Sequence, residues 1–268
     1  MSIFSLRFLG VGNAQAPRLG TSAAVLEVDG RPSLLIDCGP STIDAHLGTY
    51  GTLPEAVFAT HAHLDHIGGL EGLFYRLATA PTAHRAVARL YCPVPLVAIL
   101  QQRLADYPSI LAEGGRNFWD AFQLIPVSGQ FWHEMLMFSV FPVRHHEFLT
   151  AFGLALPGRF LFTGDTRPIP EVLSRYACHG ERIFHDCASL RSPSHTGVDD
   201  LVLEYQPEQR RRMVLYHYES AEAGRRLQEH GYRIARCGEV FDLALPGDAG
   251  VADRVRTGDT VVALEAAS

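Results

Sequence analysis

Seven consecutive residues, Thr60-His61-Ala62-His63-Leu64-Asp65-His66, place three imidazoles and a carboxylate in one short run. In a chain with 13 histidines, chance assembly of this pattern is on the order of one in a thousand. The bland reading, four unrelated polar residues on a solvated loop, is therefore weak, and a metal site is expected. Ala56-Val57-Phe58-Ala59 just before it is apolar and β-prone, a buried strand that ends at Thr60. Side chains two apart leave extended backbone on the same side, so His61 and His63 converge on one ion. Asp65 and His66 follow once the chain has begun to turn, and are placed for a second ion beside the first. Gly68-Gly69 then permits close backbone approach, and Leu70 to Leu77 resumes with helical spacing. Imidazole nitrogen and carboxylate oxygen suit zinc first, with iron or manganese admitted because no thiolate is present.

The run resembles the HxHxDH signature of the metallo-β-lactamase fold, a superfamily of mostly dinuclear metallohydrolases. Leu34-Leu35-Ile36-Asp37-Cys38-Gly39 is similar to the superfamily's Asp-x-Gly element, whose aspartate supports the metal loop from behind the ligands. Phe160-Leu161-Phe162-Thr163-Gly164-Asp165 resembles the strand whose aspartate bridges two metals, and Met213-Val214-Leu215-Tyr216-His217 the strand ending in the last ligand. Between them, Phe141-Pro142-Val143-Arg144-His145-His146 offers two candidates. The Pro-x-x-His pattern of related enzymes points to His145, with His146 as the alternative. The resemblance thus implies His61, His63 and His145 on one divalent ion, Asp65, His66 and His217 on another, and Asp165 shared. Asp65 counts both as ligand and as catalytic carboxylate. A water between two such ions ionises near neutral pH and attacks, so the implied reaction is hydrolysis.

Two further elements resemble the tRNase Z group and its cyclic phosphodiesterase relatives. Phe8-Leu9-Gly10-Val11-Gly12-Asn13-Ala14 looks like their N-terminal strand and glycine loop. Phe184-His185-Asp186-Cys187-Ala188 followed by Ser194-His195-Thr196 looks like their acidic strand end and His-Ser/Thr pair, although the acid there is usually glutamate. The histidine of that pair is thought to protonate the leaving alkoxide, which makes His195 the candidate general acid. The bland reading is an exposed residue before a helix, with Thr196 and Asp199 as a capping box. His185 and Asp186 are expected to orient neighbours.

Composition sets bounds on this picture. At 268 residues and 47% hydrophobic content, residues 1–268 suffice for one α/β domain, and no linker or low-complexity tract divides them. The fold expected from the resemblance is a four-layer αββα sandwich. Its first sheet takes Ser5 to Leu9, Ala23 to Val28, Ser33 to Ile36 and Ala56 to Ala59. Its second takes Met135 to Val143, Phe152 to Leu156, Phe160 to Thr163, Arg182 to Phe184 and Met213 to Tyr216. Helices are expected over Leu70 to Ala78, Val97 to Asp106, Pro168 to Tyr176, Val198 to Tyr205 and Ala221 to Glu229. No secretory signal or membrane-spanning stretch is evident, and five cysteines without CxxC suit a reducing cytoplasm, a Cys178–Cys187 pair being the weak alternative.

A net charge of −6 does not favour a broad nucleic-acid surface, and Arg210-Arg211-Arg212 and Arg225-Arg226 read as solvated helix faces. The tRNase Z enzymes carry a long tRNA-gripping arm between the third histidine and the bridging aspartate. The interval from His145 to Asp165 leaves room only for a turn and two strands, so tRNA is not the expected partner. A small phosphodiester is. Phe118, Trp119 and Phe122 read as core packing before lid residues. Dimers are common among similar enzymes, which makes a homodimer an expectation by analogy. Two other functions share the ligand set: a lactonase or thioester hydrolase, which has no need of His195, and a non-catalytic metal-binding module.

Overall fold

The computed structural model of the chain describes residues 2–79, 87–105 and 117–243. Strand β1 (Phe4–Gly10) runs antiparallel to β2 (Ala23–Val28), and β2 to β3 (Arg31–Ile36). Asp29 and Gly30, at φ 51° and 76°, make the two-residue turn that joins β2 to β3. The chain then crosses through α1 (Thr42–Tyr50) to β4 (Ala56–Phe58), parallel to β3. A short turn of helix, α2 (Leu64–Ile67), leads into α3 (Gly69–Thr79). Beyond it β5 (Ala88–Pro93), helix α4 (Val97–Leu100) and β6 (Phe122–Val127) extend the parallel half of the sheet.

The second sheet begins with a hairpin of β7 (Gln130–His133) and β8 (Leu136–Pro142), turning at Glu134 and Met135. It continues antiparallel through β9 (Phe152–Leu156) and β10 (Phe160–Phe162). Helix α5 (Pro170–Tyr176) then leads to β11 (Arg182–Asp186), and α6 (Val198–Glu204) with α7 (Pro207–Arg210) to β12 (Met213–Tyr216). Helix α8 (Ala221–Glu229) precedes β13 (Arg233–Ile234), and β14 (Val240–Asp242) returns to pair with β1. Among the described residues the sheets have the orders β14-β1-β2-β3-β4-β5-β6 and β13-β12-β11-β10-β9-β8-β7.

Each parallel run is buried on both faces, which is why β4, β10 and β12 carry side chains that are buried throughout and show no alternation. Between the sheets, the Phe8 ring packs against Phe162, Phe184, Tyr216 and Phe241 at centroid distances of 6.3, 5.4, 5.6 and 6.0 Å. Outside, α3 presses Leu70, Leu73, Phe74 and Leu77 inward, as its apolar spacing requires. The result is the expected α/β sandwich of two facing sheets with outer helices. Strands β3, β4, β10, β11 and β12 point their C-terminal ends to one edge, and Asp37, Thr60, Asp165, Asp186 and His217 sit there.

Several elements differ from expectation. Strands β5, β6, β7, β13 and β14 and helix α1 were not anticipated. Strand β5 mixes Arg89 with apolar residues and ends at Pro93, and β6 contains Pro126, both edge-like signals that hide a strand until its neighbour is known. The helix expected over Val97 to Asp106 is α-helical only through Leu100 and continues as a π-type turn over Gln101–Ala105; Asp106 lies outside the described residues. Helix α6 is capped one residue later than expected: Asp200, not Asp199, accepts from the Gly197 N–H at 2.9 Å, and the Thr196 hydroxyl donates to the Thr166 carbonyl. Phe118 and Phe122 are buried in the core. All five cysteines are free thiols. No helix among the described residues is long and apolar enough to cross a membrane.

Candidate metal centre

Asp37 follows β3 in the left-handed region, at φ 62°, an uncommon conformation for a residue with a side chain. The turn aims its buried carboxylate at the neighbouring loop. Its Oδ1 accepts the Thr60 N–H at 2.8 Å, and its Oδ2 accepts both the Thr60 hydroxyl and His66 Nδ1–H at 2.8 Å. Thr60 Oγ1 in turn receives His61 Nδ1–H at 3.0 Å. One aspartate therefore orients two imidazoles, one of them through a threonine. The loop fits only because residue 39 is glycine: a Cβ there would lie 1.9 Å from the Asp65 carbonyl oxygen.

The same device recurs on the other sheet. His145 Nδ1–H donates to the Ser194 carbonyl at 2.9 Å, and His217 Nδ1 faces Asp186 Oδ1 at 3.3 Å. With Nδ1 tied to an oxygen, each of these histidines presents Nε2 to a common centre. There Asp165, delivered by Gly164 at φ 64°, directs Oδ2 within 3.3 Å of His66 Nε2 and His217 Nε2, 3.6 Å of His61 Nε2 and 3.8 Å of His145 Nε2. Asp65 Oδ2 lies 3.4 and 3.6 Å from His66 and His217 Nε2. His63 Nδ1 lies 3.3 Å from His145 Nε2.

Three sets of potential ligating atoms emerge, each within 4.8 Å: His61, His63, His145 and Asp165; Asp65, His66 and His217; and Asp165, Asp186, His195 and His217. The first two sets bring together the residues expected above on the two ions, with Asp165 lying between them. His146 is exposed and belongs to none of them, although its ring is 4.9 Å from that of His63. Buried polar atoms are normally hydrogen-bonded. Here Nε2 of His61, His66 and His217 are buried without a hydrogen-bond partner within 3.6 Å of Asp165 Oδ2, and Asp165 Oδ1 is buried unpartnered as well. Neutral imidazoles and carboxylates gathered in this way fit divalent cations.

Asp186, buried at the end of β11, also accepts His195 Nδ1–H on Oδ2 at 2.9 Å and the Thr166 N–H at 2.9 Å. His195 stacks on His217 with centroids 5.1 Å apart. Burial pulls the His195 pKa down, and the hydrogen bond and charge of Asp186 more than reverse this, so it is raised. Burial instead dominates at His145, lowering it to about 4. Burial pushes the Asp65 carboxyl up, and the adjacent His217 and His66 imidazoles outweigh this, so its pKa is lowered. His185 faces away from the centre: its Nδ1–H donates to the Asp186 carbonyl and its Nε2 accepts from Tyr205, whose oxygen accepts the Ile169 N–H. The roles of Thr60, Thr166 and the Ser194 carbonyl were not anticipated. Only Thr60, inside the histidine run, had a signal in the sequence.

The sequence matches the model of a protein family described as Anti-Pycsar protein Apyc1 over residues 4–241. A curated relative, an Anti-Pycsar protein Apyc1 from Saccharibacillus brassicae, is 30% identical over 223 residues, covering 80% of this chain and 89% of its own length. Among solved structures, a diphosphatase from the PhnP family aligns with a TM-score of 0.72 at 20% identity, over 91% of this chain and 99% of that one. The metallo-β-lactamase fold protein YhfI from Bacillus subtilis aligns with a TM-score of 0.68 at 16% identity, over 90% and 99%. The fold is thus the metallo-β-lactamase fold.

Proposed function

The chain belongs to the Anti-Pycsar protein Apyc1 family, and from that premise we propose that it is a hydrolase using two divalent cations to cleave a small phosphodiester. The observation that carries this reading is the convergence of unpartnered, buried Nε2 atoms on Asp165. His61, His63 and His145 would hold one cation, Asp65, His66 and His217 the other, and Asp165 both; zinc is the first candidate, then manganese or iron. Cations held there supply a nucleophile at neutral pH and charge stabilisation for the phosphoryl oxygens.

The residues of the chain do the rest. Asp37, through Thr60 and directly, fixes the His61 and His66 rings, and the Ser194 carbonyl fixes His145. Asp186 accepts Nδ1–H of His195 and favours its protonated form, in which Nε2–H can pass to the leaving alkoxide. A carbonyl-ester hydrolase has less need of such a donor, so this pair favours the phosphodiester. Between His145 and Asp165 lie a turn, β9 and β10, with no projecting arm for a large RNA. That supports a small substrate, with cyclic nucleotides the first class to try. Free cysteines throughout suit the cytoplasm.

The test is metal content of the purified protein, with hydrolysis of bis(p-nitrophenyl) phosphate and of a simple lactone before and after chelation. About two metals per chain with chelator-sensitive diester cleavage are expected. Lactone cleavage alone would move the reading to a carbonyl hydrolase, and a metal-free protein that stays metal-free on zinc addition would overturn it.

A further inference from the structure

Two buried polar side chains stand behind the centre. His185, on β11, is fully buried, and Tyr205, the residue that closes α6, is nearly so. A directed chain of hydrogen bonds runs through them. The Ile169 N–H donates to the Tyr205 oxygen at 2.8 Å, the Tyr205 hydroxyl donates to His185 Nε2 at 2.6 Å, and His185 Nδ1–H donates to the Asp186 carbonyl at 2.6 Å. A phenol has one proton to give, and here it goes to the imidazole, which leaves Nδ1 as the donor toward Asp186.

What the chain ties together gives it a purpose. His195 lies just before α6, and the leading end of that helix is fixed to the segment that follows Asp165: the Thr196 N–H and hydroxyl both donate to the Thr166 carbonyl, at 2.9 and 2.8 Å. Its trailing end is fixed to the same segment, through Tyr205 and Ile169. Both ends of α6 are thus held on residues 166–169, which begin directly after Asp165. Asp186 closes the frame. Its Oδ2 accepts the Thr166 N–H at 2.9 Å and His195 Nδ1–H at 2.9 Å, while its carbonyl takes the proton from His185.

An apolar pair at 185 and 205 would fill the same space with no polar atoms to satisfy. A buried phenol and imidazole are costly unless every bond is made, and when all are made they define one arrangement. We propose that Tyr205, acting through His185 and Ile169, is a positioning residue for proton transfer: it fixes α6 against the segment that follows Asp165 and so sets where His195 stands. This rests on the phosphodiesterase reading for the reaction, but not for the placing of His195. Its effect should be confined to esters whose leaving group needs a proton as it departs.

The test uses the zinc-loaded protein as wild type, Tyr205→Phe, His195→Ala and the double variant, with His185→Gln as a second break in the same chain of bonds. Kinetics compares 3′,5′-cyclic AMP, whose leaving group is an alkoxide, with bis(p-nitrophenyl) phosphate, whose leaving group is stable as an anion. Proton NMR follows the His195 ring N–H, identified as the downfield signal that His195→Ala removes. Tyr205→Phe is expected to keep its metal, to lower kcat for cyclic AMP by about tenfold or more with KM little changed, and to affect the p-nitrophenyl ester much less. His185→Gln should do the same. Added to His195→Ala, Tyr205→Phe should slow cyclic AMP cleavage no further. The His195 signal should be lost to exchange in Tyr205→Phe while the other ring N–H signals persist. Equal slowing of both esters, or additive losses in the double variant, would overturn the proposal and leave the pair to fold stability alone. A wild type that cleaves neither ester would refute the phosphodiesterase reading, and the NMR signal would then decide: its selective loss in Tyr205→Phe supports the positioning role, and its persistence overturns it.

Discussion

His195 Nδ1 lies 2.9 Å from Asp186 Oδ2, so a histidine that leads into α6 is held by a carboxylate at the end of β11. The same carboxylate faces His217 through its other oxygen. The proposed proton donor and the proposed ligand are thereby oriented by one buried group.

Replacing His195 by Ala should separate metal binding from proton donation. Metal content is expected to stay near wild type. Cleavage of a diester with an alkyl leaving group should slow by about a hundredfold or more, because an alkoxide needs a proton as it departs. A p-nitrophenyl ester, whose leaving group is stable as an anion, should lose much less. Equal slowing of both esters would return His195 to a helix-flanking role.

Substituting Ala at both His61 and His63 removes two of the ligating groups gathered around Asp165. Elemental analysis should show most of the metal gone, and diester hydrolysis should fall to background. Full activity in the double variant would refute the assignment of the centre.

His145 and His146 make a sharper comparison, since their rings are only 4.1 Å apart. His145 is buried among the ligating atoms and tied to Ser194, whereas His146 is exposed. Ala at position 145 should deplete metal and Ala at 146 should not; the reverse pattern would exchange their roles.

A pH-dependent contribution to stability is expected far from this centre, at Glu27. Its buried carboxylate accepts from Ser5, Arg7 and Tyr50. Burial pushes its pKa up, and the bonds from Arg7, Tyr50 and Ser5 outweigh this and leave it lowered. Because the folded pKa is below the unfolded one, the unfolded state takes up the proton first as pH falls. The stabilisation is therefore complete above about pH 4.5 and is lost below it, through the folded pKa. Glu27→Gln should cost about 1–3 kcal/mol at neutral pH and flatten the acid limb of stability. An unchanged acid limb in denaturant titrations from pH 3 to 7 would show that another group controls it.

Much of the site was legible because its chemistry is written locally. His61, His63, Asp65 and His66 lie in one run that spacing alone marked, and Asp165 and His217 each end an apolar strand that the family resemblance singled out. Strands β5, β6 and β14 were not legible, since a proline, an arginine or a length of three residues masks a strand whose partners lie far away in the chain. The capping residue of α6 was misplaced by one, because Thr196 has a stronger partner in Thr166 across the fold.

The sequence by itself determined which groups are able to hold metal and that strands deliver them, because ligand type and local periodicity need no knowledge of the rest of the chain. Only the tertiary structure buried His145 among the other candidate ligands, left His146 exposed, and gave each imidazole its orientation. The oxygens responsible are set by long-range packing: Asp37 lies 23 residues from Thr60, and Ser194 49 from His145.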